Sequence, residues 1–126
     1  IKSPAAADVA RKIIEWAKSR TTPDPNPKSI KFMLKRRDRK FPLFSLYIQG
    51  YIEFQLKTYS QFTPFESAEM QRELLNRLSG ASGRTFSDNA KLPSFYLSSL
   101  TDDDTLNKLF VTLDWLISLL GNTQMQ

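Results

Sequence analysis

The chain contains no cysteine and no histidine. The first absence removes disulfides, and the two together remove zinc sites and imidazole catalysis, which depend on those side chains. Glycine is scarce at four residues, and the only paired glycines, Gly80 and Gly83, follow a helical stripe rather than precede one, so no phosphate-cradling loop is present. No apolar run reaches the roughly 20 residues of a membrane span. The longest, from Leu109 to Leu120, is interrupted by Asp114. No signal-peptide pattern opens the chain, and the missing cysteines suit a reducing compartment, so a cytoplasmic setting without membrane contact is expected. The first residue is Ile1 rather than methionine, which leads us to expect a piece of a longer protein.

What is present is alternation. Ile30, Phe32 and Leu34 alternate with Lys31, Met33 and Lys35. Phe44, Leu46 and Ile48 do so with Ser45, Tyr47 and Gln49, and Ile52, Phe54 and Leu56 with Glu53, Gln55 and Lys57. A period of two sends successive side chains to opposite faces of a sheet, and the short links predict an antiparallel meander.

Helical spacing flanks these strands. Ser3-Pro4 caps a first helix whose stripe is Val9, Ile13, Trp16 and Ala17, ending near Lys18. Residues 20–29, with three prolines, form a connector with no helix or central strand. Thr63-Pro64-Phe65-Glu66 reads as a capping box opening a helix through Met70, Leu74 and Leu78, which ends before Gly80. A long loop over 80–93 leads to a strand over 94–98 in which Phe95 and Leu97 alternate with Tyr96. The last helix starts at Thr101, with three aspartates placed where the helix dipole favours anions, and stops at Gly121.

The order α-β-β-β-α-β-α makes an α+β, two-layer fold across residues 1–126, with helices covering one face of a mostly antiparallel sheet. The last helix is apolar on two sides. Leu106, Leu109, Leu113, Leu116 and Leu120 form one stripe, and Val111, Trp115 and Leu119 lie opposite. That second stripe is either sandwiched or a protein interface for the rest of a parent chain or a second copy.

The charge of +5 is concentrated. Seven of the 18 basic residues and one of the 13 acidic ones fall between residues 28 and 40, and the rest of the chain is close to balanced. Lys35, Arg36, Arg37, Arg39 and Lys40 crowd one hairpin tip and repel one another unless solvated or placed against an anion. With Lys31, Lys57, Tyr47, Tyr51 and Tyr59 on the outer face they supply cations for phosphates and rings for bases. The expected partner is therefore nucleic acid, without a cofactor. The competing explanation is a solvated turn guarding a sheet edge. Arg72 and Arg77 are expected to pair with Glu69 and Glu73 along their helix.

Two resemblances follow from particular stretches. Gln55-Leu56-Lys57, preceded by Asp38 and Glu53, resembles the D…(E/Q)-x-K pattern of restriction-endonuclease-like nucleases. That resemblance implies Asp38, Glu53, Gln55 and Lys57 acting on a phosphodiester with Mg²⁺. FPLFSLYIQGYIEFQL, the TPFES stretch and LPSFYLSSL before an acidic cap together resemble small α+β accessory domains of uncharacterised bacterial proteins that accompany nuclease or restriction-type modules. This likeness spans roughly residues 5–120 in element order. It implies a non-enzymatic domain in a DNA-processing or defence setting, and the nuclease pattern is the alternative.

Overall fold

The computed structural model describes residues 3–121. Its elements are α1 (Pro4–Ala17), β1 (Thr22–Pro25), β2 (Ser29–Arg36), β3 (Arg39–Tyr47), β4 (Tyr51–Phe54), α2 (Leu56–Tyr59), α3 (Ala68–Ser82), β5 (Ser94–Tyr96), a 3₁₀ turn (Leu97–Leu100) and α4 (Asp103–Leu120). The five strands lie in chain order, β1-β2-β3-β4-β5, and every neighbouring pair is antiparallel. Helices pack on one face of this sheet, so the α+β fold holds. Among the described residues, no helix is long and apolar enough to cross a membrane.

The core lies between sheet and helices. Phe32, Phe44 and Phe54 are fully buried across β2, β3 and β4, the first two stacked at 4.7 Å between centroids and the last two tilted at 6.2 Å. Ile13 of α1, Leu74 and Leu78 of α3, and Leu109, Leu113 and Leu116 of α4 close over them. Burying one such side chain stabilises by about 1.5–3 kcal/mol. Trp16 stacks on Phe110 at 5.2 Å and joins α1 to α4, while Arg20 at the end of α1 pairs with Asp114 at 3.7 Å.

Several local expectations change. The proline-rich connector contains β1, because an edge strand tolerates prolines that a central one excludes. Between Phe32 and Met33 the register with β3 slips by one, so Leu43 is an extra residue in a bulge and joins the core beside Phe44. β3 ends at Tyr47, leaving Ile48 in the turn and 54% exposed rather than inside. β4 ends at Phe54, and Leu56 begins α2 instead of prolonging the strand.

The caps shift as well. Thr63-Pro64-Phe65-Glu66 precedes α3 without opening it. Thr63 Oγ1 donates to Glu66 Oε1 at 2.8 Å, and Ser67 caps the helix by accepting from the Met70 amide at 3.1 Å. The helix continues through Gly80 to Ser82, where Gly83 stops it with φ 75°, a left-handed conformation that glycine adopts without a Cβ clash. In α4 the cap is Asp102 rather than Thr101, its carboxylate accepting from the Thr105 amide at 2.8 Å. The helix ends at Gly121, whose backbone is extended and where a Cβ would lie 2.7 Å from the Ile117 carbonyl oxygen.

Candidate functional site

Strand register decides which side chains share the face that the helices leave open. One row crosses β2, β3, β4 and β5 as Ser29, Tyr47, Tyr51 and Tyr96. The next crosses all five strands as Asp24, Lys31, Ser45, Glu53 and Ser94. Further along β2 and β3, Lys35 faces Lys40.

The tyrosines form one aromatic surface. Tyr47 and Tyr51 stack with centroids 4.5 Å apart and planes 13° from parallel. Tyr96 meets Tyr51 edge-on at 6.2 Å and is 64% exposed. Tyr47 Oη donates to Glu53 Oε1 at 3.1 Å, and Gln55 Nε2 donates to the same oxygen at 3.3 Å. Burial, and then the adjacent Glu53 carboxylate, push the Tyr47 phenol above its ordinary value, so it stays a neutral donor. Tyr47 thus leans diagonally across Ser45, whose hydroxyl is buried without a hydrogen-bond partner.

The basic run is less a loop than a ladder. β2 continues to Arg36 and β3 begins at Arg39, so only Arg37 and Asp38 form the turn, and the cations divide between faces. Lys35 and Lys40 lie on the open face with Lys31, and all three are exposed. Arg36 and Arg39 point to the helix side, 5.3 and 5.0 Å from the Phe62 ring. Among the described residues, none of the seven cations of 28–40 takes part in an ion pair.

The remaining expected site residues disperse. Tyr59, expected outside, lies in α2 and is fully buried, its hydroxyl donating to the Leu43 carbonyl. Its place in the outer row is taken by nothing from α2. Lys57 is exposed on α2, so strand alternation no longer puts it beside Gln55. Asp38 sits at the hairpin tip, while Glu53 pairs with Ser45 seven residues further along β3, about 24 Å of extended chain away. The four residues of the nuclease pattern are therefore not gathered at one place.

Of the second α4 stripe, Trp115 packs edge-on against Phe65 at 5.6 Å under the Arg77 guanidinium at 4.2 Å, and Leu119 is partly buried against the core. These two are sandwiched, and only Val111, 61% exposed, faces outward. Arg77 also pairs with Glu73 at 2.8 Å, as the helix spacing predicts.

No protein-family model, curated protein sequence or solved structure matches this chain. What the open face can do follows from its own chemistry: π-faces for bases beside ammonium groups for phosphates. Sequence reasoning missed Tyr96 as a member of this face. Its alternation with Phe95 and Leu97 points it away from the core, but only the pairing of β5 with β4 sets it beside Tyr51.

Proposed function

We propose that the open sheet face binds single-stranded nucleic acid, as the non-enzymatic accessory part of a DNA-processing or defence protein. The observation that carries this reading is the tyrosine row Tyr47–Tyr51–Tyr96, half-buried at its first two rings and exposed at Tyr96, lying on the same face as Lys31, Lys35 and Lys40. Every base has a π-face, so stacking on such a row tolerates sequence, and each stacked base contributes about 1–3 kcal/mol. Lysines beside the row neutralise backbone phosphates and carry no base code. A duplex hides its bases, so it engages the lysines but not the rings.

Fluorescence anisotropy with labelled single- and double-stranded oligonucleotides tests this over a salt series. Three lysine–phosphate contacts on a single strand give a slope of log affinity against log salt of about −2. Replacing Lys31, Lys35 and Lys40 together with Gln flattens that slope, and Tyr96→Ala weakens single strands more than duplex. Absence of binding at about 50 mM salt, or an unchanged slope in the triple variant, rules the reading out.

A further inference from the structure

Arg36, Arg37, Asp38 and Arg39 at the β2–β3 turn line an open cleft of about 460 Å³, together with Gln61, Phe62 and Thr63. Arg36 is held from behind, its Nη1 donating to the Leu119 carbonyl in the last turn of α4 at 3.0 Å. Arg39 also lies over the Phe62 ring, at 5.0 Å, and its Nη2 donates to Gln61 Oε1 at 3.2 Å. Each guanidinium has five N–H donors, so both keep donors to spare.

Arg37 differs from both. It is the only non-glycine residue with positive φ among those described, at 55°, and its side chain makes no hydrogen bond or ion pair among the described residues. Asparagine or glycine would suit that backbone better. An arginine there adds to the cleft's lining a side chain with no hydrogen bond or ion pair among the described residues.

Charge selects the ligand. Three arginines and Asp38 give the lining a net charge of +2. A carboxylate or a backbone phosphodiester brings one negative charge and leaves the cleft unbalanced. A terminal phosphomonoester brings about 1.5–2 negative charges near pH 7 and three oxygens that suit forked arginine donors. Lys31, then Lys35 and Lys40, mark a cationic track along the open face from the tyrosine row to this tip, and a strand on that track turns around the tip to reach the cleft, which Arg36, Arg39 and Phe62 line on the helix side. The nine residues of β3 span about 27 Å between Arg39 and Tyr47.

We propose that the cleft receives the terminal phosphate of a strand whose bases lie on the tyrosine row, with Arg37 and Arg39 as its ligands and Arg36 as a fixed charge behind them. This assignment rests on the nucleic-acid reading above. Its test compares one single-stranded sequence of about ten nucleotides with a 5′-phosphate, a 3′-phosphate or hydroxyls at both ends. One phosphorylated form is expected to bind about tenfold tighter than the hydroxyl-ended strand, the scale of one charge-assisted contact. Which form it is gives the strand's polarity. Arg37→Gly and Arg39→Gln should each bring that ratio close to one. Thermal melting of Arg37→Gly at or above the wild-type temperature shows that its lost ratio is not unfolding, and Arg39→Gln supplies the same readout if that variant does not fold. Equal binding of all three strands overturns the cleft assignment and leaves the tyrosine platform standing. Failure of every strand to bind overturns both. A phosphoserine peptide binding as tightly as the phosphorylated strand also overturns the assignment, because the cleft would then read phosphate on a protein.

Discussion

Aromatic rings occupy both faces of the five-stranded sheet, and they do different work on each. On the covered face, Phe32, Phe44 and Phe54 are sealed by helices and have no exposed surface. On the open face, Tyr47 stacks on Tyr51 and Tyr51 meets Tyr96 edge-on, and exposure rises to 64% at Tyr96. The phenylalanines stabilise by removing apolar area from water. A tyrosine that keeps more than half its surface wet gives up most of that gain. On the proposed reading, the exposed ring of Tyr96, beside lysines that form no ion pair among the described residues, is kept for a ligand rather than for the core. Tyr59 makes the contrast sharper, since the same side chain placed between sheet and helices is a core residue.

The largest effect that separates the faces is a cavity. Phe44→Ala should cost about 3–5 kcal/mol, read by urea unfolding, because helices and sheet cannot fully collapse into the space. Tyr51→Ala on the open face should cost much less. Equal losses at the two positions would break the distinction between core and platform.

Tyr59→Phe comes next. It strips the Leu43 carbonyl of its buried donor and should cost about 1–3 kcal/mol. A pH signature accompanies it. Burial raises the Tyr59 phenol above its ordinary value of 10.0, so the unfolded chain loses this proton first as the solution becomes alkaline. The stability tied to the neutral phenol is complete below pH 10 and is lost as pH climbs beyond it. Unfolding measured from pH 8 to 11 should show that decline, shallower in Tyr59→Phe, with the raised Tyr47 phenol acting in the same direction. A slope identical in both proteins would contradict the buried phenol.

Tyr96→Ala inverts the pattern. Folding stability should move by no more than about 0.5 kcal/mol, as expected for an exposed position. Single-strand affinity should fall by about 1–3 kcal/mol, which anisotropy measures directly. A stability loss without an affinity loss would make Tyr96 a packing residue and weaken the platform.

The smallest expected effect belongs to Ser45, the one buried side-chain hydroxyl without a partner among the described residues. Ser45→Ala removes an unpaired polar group and should leave stability unchanged or raise it by up to about 1 kcal/mol in thermal melts. A clear destabilisation would mean that the hydroxyl has a partner on that face.

By itself, the sequence determined whatever depends on neighbours a few residues apart. Alternation through Phe32, Leu34, Ile52 and Phe54 settles which side chains turn inward, and Ser3, by its capping hydroxyl, and Pro4, by its fixed φ, mark the start of α1. Only the tertiary structure decided the rest. Phe54 could have been followed by more strand, but Leu56–Tyr59 coils into a helix because that brings Tyr59 under the sheet, where Leu43 accepts its proton. Leu43 reaches that position only through a bulge that strand pairing imposes. Tyr96 joins Tyr51 because a three-residue strand returns across two intervening helices to the free edge of β4. Local propensity acts over a turn or two of chain, whereas these placements are contacts between distant residues, and burial and hydrogen bonding outweigh propensity once those residues meet.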